Sequence, residues 1–411
     1  MLRREPVYLD HAATTPLRPE AIEAVTRTLR VVGNPSSIHS AGQEAKRLLE
    51  ESREQVAATV GADPIEVVLT GGGTEAVNLA VKGLFWRRRA EAGARRILVP
   101  GGEHHATIDA LDWLAGVDGA EPVEVPLDEL GRVRVDALAA ELERDAASVA
   151  LVTMLWANNE VGTIEPVAEV AELCARAGVP LHVDAIAAYG HVPIDLHGLR
   201  RETRAPAGAG LVAISLSAHK VGGPVGIGAL VLDRSTRIEP LLHGGGQQRR
   251  IRSGTQDVAA AAGFAAAARA TFEHAPVENE RMARLRDRLV EGVATAVPLA
   301  RLSGDPDPAG RLPGNAHFSF AGCEGDSLLF LLDAAGVAVS TGSACQAGVP
   351  EPSHVLLAMG RSEEEARGAL RITLGWSTTD ADVEAFLGAL PAAVERASRA
   401  GMAARATSFD R

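Results

Sequence analysis

The feature that most constrains this chain is a succession of short, continuously apolar runs, each closed by a glycine or polar turn and set apart by helical stretches. Residues 67–69 lead into a glycine turn, 96–99 into Gly101-Gly102-Glu103-His104, and 149–154 into Asn158-Asn159-Glu160. Residues 211–216 lead into Ser217-Ala218-His219-Lys220, while 181–184 follow the helical segment 167–177. Strands without polar alternation are buried on both faces, and helical crossovers between them make neighbours parallel. The expectation is an α/β fold with a mainly parallel sheet covered by helices. Its polar strand ends face a ligand cleft.

After about Gly263 the pattern shifts to long helices with strand-like runs at 316–320, 337–340 and 369–374, which reads as a smaller α+β domain. A chain of 411 residues is long for one core, so two domains sharing a cleft are expected. The division places a large domain over 16–262 and a small one over 1–15 with 263–411. Residues 200–210 and 303–314 read as polar loops. Segment 258–272 is apolar, but it is alanine-dominated and carries Arg269, so it reads as a packed helix and not a membrane span.

A formal net charge of -12 argues against a general nucleic-acid or membrane-surface role. The three cysteines, Cys174, Cys323 and Cys345, show no CxxC spacing, which favours a reducing compartment. The charged start is not followed by an apolar segment of signal-peptide type, so a cytoplasmic location is expected. Cys174 reads as a small core residue of its helix, whereas Cys323, beside Gly322 and Glu324, stays open.

Lys220 emerges from a buried run into a loop of small residues. An amine partly desolvated there has a lowered pKa and can form a Schiff base, the way pyridoxal 5'-phosphate (PLP) is anchored to proteins. PLP also needs an anion site, an acid for its pyridine nitrogen and a partner for its ring face. Thr70-Gly71-Gly72-Gly73-Thr74-Glu75 offers free N–H groups at a helix start, with no Gly-Lys-Ser/Thr to make it a Walker loop. Asp184, ending a strand, could keep the nitrogen protonated, and His104 or His105 could stack on the ring. Each has a plainer reading: a solvated lysine, a chain-reversing turn, a helix cap, a structural histidine. The paired histidines match no zinc motif, and no metal site is expected.

Taken in order, Tyr8-Leu9-Asp10-His11-Ala12-Ala13-Thr14-Thr15-Pro16, Gly33-Asn34-Pro35-Ser36-Ser37, Glu103-His104-His105, Asn158-Asn159-Glu160-Val161-Gly162, His182-Val183-Asp184-Ala185, the Lys220 segment, His243-Gly244-Gly245-Gly246-Gln247, Arg252-Ser253-Gly254-Thr255 and Ser343-Ala344-Cys345 resemble the cysteine desulfurases of the PLP-dependent aminotransferase class V superfamily. The resemblance spans about residues 7–380. It implies a fold-type-I homodimer with Lys220 as the Schiff-base lysine, Asp184 on the pyridine nitrogen and His104 stacked over the ring as an acid-base group. Gly73, Thr74, Ser217 and His219 would bind the phosphate, and Thr255 would reach the phosphate of the partner subunit. Asn158 would contact cofactor and substrate, and Arg371 would clamp the carboxylate of L-cysteine. Cys345, in a stretch similar to the group with a long catalytic loop, would take the sulfur as a persulfide and hand it to an acceptor protein such as an Fe–S scaffold or a tRNA-thiolation enzyme.

The chain departs from that family at Ala187, where a glutamine that donates to the phenolic oxygen of PLP is usual. Two alternatives stand beside the desulfurase reading. One is a related class V enzyme: a selenocysteine lyase, a sulfinate desulfinase or an aminotransferase. The other is a catalytically weak sulfur-carrier scaffold.

Overall fold

The computed structural model describes residues 6–342 and 352–406. Cys345 lies outside the described residues. The strands are β1 (Val7–Tyr8), β2 (Val67–Thr70), β3 (Arg96–Pro100), β4 (Glu121–Val125), β5 (Val149–Leu155), β6 (Pro180–Asp184), β7 (Gly210–Ser217), β8 (Gly228–Leu232), β9 (Ala300–Ser303), β10 (Asn315–Phe320), β11 (Val337–Ala338) and β12 (Ala369–Thr373).

Seven of them form the central sheet in the order β2-β8-β7-β6-β5-β3-β4. The pairs β3–β4, β3–β5, β5–β6 and β6–β7 are parallel. β8 alone runs against both its neighbours, which leaves β2 pointing the same way as β7. All residues of β5, β6 and β7 are buried, as strands covered on both faces require. One face packs Val152, Met154, Leu181, Val183 and Ile214 against the helix Val167–Ala177. The other packs Val68, Ile97, Leu151 and Leu230 against the helices Gly73–Ala92 and His105–Asp118.

The smaller unit is a three-stranded antiparallel sheet, β12-β10-β9, with helices Gly325–Ala334 and Asp380–Ala406, and with Leu9 of the N-terminal segment in its core. β1 pairs with β11, which ties the N-terminus to this unit. The long helix Val258–Ala296 belongs to both cores. Its Ala261, Phe264 and Ala268 pack with the large sheet, and its Met282, Leu285 and Leu289 with the small one. The expected division at residue 262 therefore falls inside one continuous helix that carries Pro276 between its two packing faces.

Residues 200–203, expected in a polar loop, are helical. Asp195 accepts the Gly198 N–H at 2.9 Å to cap the helix Leu196–Thr203, and Arg200 pairs with the buried Glu66 at 2.7 Å. Cys174 is fully buried, and burial pushes its thiol pKa up. Cys323 resolves the same way: it is buried in the small core, and burial with the nearby Glu324 raises its pKa. Among the described residues, no helix is long and apolar enough to cross a membrane.

Candidate active site

The carboxyl ends of β2, β3, β5, β6 and β7 open on one edge of the large sheet, and the small unit closes over them. Between the two lies a cavity of about 450 Å³. Lys220, Asp184, His104 and Arg371 line it, together with Gly73, Thr74, Ser217 and His219.

Lys220 stands in a single 3₁₀ turn, Ala218–Val221, that follows β7 directly. Gly222 ends the turn at φ 78°, and a Cβ there would meet Arg18 Cγ at 2.8 Å and Pro16 O at 3.0 Å. The turn is thus pressed against the N-terminal segment. Lys220 Nζ donates to Ala12 O and, at 2.9 Å, to Ala13 O. Burial first, and the Arg371 charge second, lower its pKa to about 8, with Asp10 and Asp184 opposing. At pH 7 about 1 in 10 of such amines is neutral, against about 1 in 3,000 for an ordinary lysine. That neutral form attacks aldehydes.

Asp184 is 2% exposed. Its Oδ1 accepts the Ile186 N–H at 2.9 Å, and burial raises its pKa to about 6. A buried carboxylate with so little compensation fits a cationic partner in the cavity. Nearby, Glu103 takes the Leu155 N–H at 2.9 Å, while its Oε2 is buried with no hydrogen-bond partner among the described residues. Desolvation, with the nearby Asp184 and Glu165 adding to it, drives the Glu103 pKa well up. The strand that presents Asp184 is held by His182, which bridges Thr153 Oγ1 at 2.9 Å and Ser215 Oγ at 2.8 Å across β5, β6 and β7. A satisfied buried bridge of this kind costs about 1–3 kcal/mol when one partner is removed.

His104 caps the helix His105–Asp118, its Nδ1 accepting the Ala106 N–H at 3.0 Å. Burial, then the Lys220 charge, lower its pKa to about 4, so the ring is neutral and its proton sits on Nε2. The adjacent His105 packs on the His354 ring instead, with centroids 5.1 Å apart. The helix Gly73–Ala92 begins at Gly73, so its first N–H groups have no intrahelical acceptor and face the cavity edge beside Thr74. A Cβ at Gly73 would meet Ile186 Cδ1 at 2.3 Å and Ser217 Cβ at 3.2 Å. This cradle, with Asp184 on one side and Lys220 on the other, fits PLP.

Arg371 arrives from β12, 5% exposed, with Nη1 2.9 Å from Asn159 O and Nη2 3.0 Å from Asp10 Oδ1. Two expected residues do not line this chain's cavity. Asn158 is absent from the cavity lining, and its side chain builds the loop after β5 by accepting the Glu160 and Val161 N–H groups and donating to Gly102 O. Thr255 is exposed and outside the cavity. Asp10, Asn159 and Glu160 reach the site although sequence reasoning gave them no role. For Asp10 and Asn159 the signal is their place within the segments that carry the family resemblance.

Residues 7–386 match the family model described as aminotransferase class-V. The chain belongs to this family, in its PLP-dependent cysteine desulfurase branch. It is 51% identical over 402 residues to the IscS-like cysteine desulfurase of Mycobacterium tuberculosis, covering 98% of this chain and 99% of that protein. Among solved structures it superposes on a NifS-like protein with a TM-score of 0.84 at 32% identity, over 95% of this chain and 100% of that one. It also superposes on SspA in complex with cysteine, with a TM-score of 0.75 at 28% identity over 90% and 99% of the two chains.

Proposed function

We propose that this protein converts L-cysteine to L-alanine, takes the sulfur as a persulfide on Cys345 and passes it to an acceptor protein. The observation that carries this reading is the meeting of Lys220, Asp184, His104 and Arg371 in one cavity whose wall includes Gly342, three residues before Cys345 in sequence. The likeness to SspA in complex with cysteine supports cysteine as the substrate.

PLP, when bound, supplies an electron sink that acidifies the substrate Cα–H and loosens its Cβ–S bond. Gly73, Thr74, Ser217 and His219 would hold its phosphate, and Asp184 would keep a proton on its ring nitrogen. Lys220 anchors it and then, at Nζ, moves the Cα proton. The Arg371 fork binds the cysteine carboxylate in two parallel hydrogen bonds. His104 covers the cavity with Nε2–H available as donor. The Cys345 thiolate forms a bond to the substrate sulfur as the Cβ–S electron pair leaves onto carbon. Protonation of that carbon gives alanine, and the sulfur stays on Cys345.

The exposed Thr255 would serve a partner subunit's cofactor phosphate in a homodimer, and an Fe–S scaffold or a thiolation enzyme in the cytoplasm would take the sulfur. The deciding experiment reconstitutes the protein with PLP and follows visible absorbance, alanine and sulfide with L-cysteine. A bound cofactor band and equimolar alanine and sulfur are expected. A Cys345→Ser protein that makes alanine at the wild-type rate would overturn the persulfide role.

A further inference from the structure

The two described ends of the segment that carries Cys345 meet on one buried side chain. Glu160 is 1% exposed and lines the cavity. Its Oε2 accepts the Ser353 hydroxyl at 2.6 Å, and Ser353 is the residue that opens the helix His354–Ala358, its Oγ accepting the Leu356 N–H at 3.2 Å. On the other end, Gly342 packs so closely on the same carboxylate that a Cβ would lie 3.2 Å from Oε2 and 3.3 Å from Cδ, at a φ of 88°. Gly342 N donates to Ser340 Oγ at 3.1 Å, and Ser340 exchanges backbone hydrogen bonds with Arg371 in both directions. Glu160 itself is fixed by the Asn158 side chain, which takes its N–H at 2.9 Å, and by Asn315 Nδ2, which donates to its carbonyl at 3.0 Å.

A charge-assisted hydrogen bond as short as that from Ser353 is among the stronger kinds available to a side chain. It joins the loop after β5 to the far stem of the Cys345 segment, and the near stem passes so close to the same oxygen that Gly342 has little room for a side chain. We propose that Glu160 is a positioning residue for the sulfur-accepting step, pinning both stems of the Cys345 segment to the cavity wall beside the substrate clamp Arg371. This rests on the reading of Cys345 as sulfur acceptor. Glu160 acts through Ser353 and Gly342, so its effect falls on the delivery of the thiolate and leaves cofactor anchoring by Lys220 and Asp184 intact.

The test compares PLP-loaded wild type, Glu160→Ala, Glu160→Gln, Ser353→Ala, the Glu160→Ala/Ser353→Ala double variant and Cys345→Ser. Two steps are read separately: exchange of the L-cysteine Cα proton with deuterated solvent, and alanine formation in a single turnover. Glu160→Ala and Ser353→Ala are expected to keep exchange within about threefold of wild type and to slow alanine formation about 10- to 100-fold. Glu160→Gln, which retains an acceptor oxygen, recovers most of the rate, and the double variant is no slower than the worse single one. Loss of exchange and alanine formation together, or additive effects in the double variant, would overturn the positioning role. Should Cys345→Ser make alanine normally, the acceptor reading fails. A Cys345→Ser protein without alanine formation beside an unaffected Glu160→Ala protein sinks the Glu160 proposal alone. Equal thermal midpoints across the set separate positioning from misfolding, and a variant that unfolds is replaced by the Ser353→Ala result, which then decides.

Discussion

Arg371 is held in place by Asp10: its Nη2 lies 3.0 Å from Asp10 Oδ1, while Nη1 donates to Asn159 O at 2.9 Å. The guanidinium plane is therefore set by one residue of the N-terminal segment and one of the β5 loop. A planar fork so oriented matches a carboxylate with two parallel hydrogen bonds, which a lysine ammonium does not reproduce. Arg371→Lys should raise KM for L-cysteine about 10- to 100-fold, as loss of a charged hydrogen bond worth about 1.5–3 kcal/mol requires. Steady-state kinetics over a wide cysteine range checks it, and an unchanged KM would remove Arg371 from substrate binding.

The lowered Lys220 pKa sets how the apoprotein takes up PLP. Its folded value of about 8 lies below the ordinary 10.5, so the neutral amine gains population as pH rises and levels off just above 8. The rate of covalent cofactor incorporation should climb through pH 7–8 and then flatten. Stopped-flow absorbance across pH 6–9.5 measures it. In Lys220→Ala, borohydride should fix no cofactor to the chain, although reversible binding persists.

How much of this was legible depends on where each residue's partners lie. The runs behind β5 and β7 were plain because strands covered on both faces spell unbroken apolar sequence. β4, with the sequence EPVEV at the sheet edge and mostly exposed, carries no such signal. β8 is apolar and buried, but only its pairing with β7 and β2 makes it antiparallel. Lys220, Asp184 and Thr74 could be nominated from their strand-end positions. Glu160 could not, because its partner Ser353 is 193 residues away. The helical state of residues 200–203 likewise depends on Glu66, 134 residues distant from Arg200. For Asn158 the structure shows the local role, since an asparagine after a strand builds a turn with its own side chain.

Ala187 lines the cavity and has no side-chain donor to offer a bound cofactor. A donor to an anionic oxygen stabilises the deprotonated side of an equilibrium and makes the conjugated nitrogen less basic. Ala187→Gln should therefore shift the pH titration of the bound cofactor's visible band downward by about half a unit or more. Spectrophotometric titration of both proteins decides it. Superimposable curves would mean that another group already donates at that position.

Asp184 gives the apoprotein a pH dependence of known sign. Its folded pKa of about 6 lies above the ordinary 3.8. Below 3.8 the carboxyl is protonated whether the chain is folded or not, and the favourable contribution is complete. As pH rises through 6 the buried group must ionise, and that contribution is lost, a cost of about 3 kcal/mol by pH 8. Asp184→Asn removes the titration. The apo variant should be more stable than apo wild type at pH 8, with the gap closing as pH falls through 6 toward 4. Addition of PLP should reverse the order, since the wild-type carboxylate then gains a cationic partner that the amide lacks, and stabilisation follows affinity. Thermal unfolding of both proteins, apo and PLP-loaded, at intervals from pH 5 to 8 reads both effects. A gap that widens on acidification, or an equal midpoint gain from PLP in the two proteins, would mean that Asp184 does not face the cofactor's ring nitrogen.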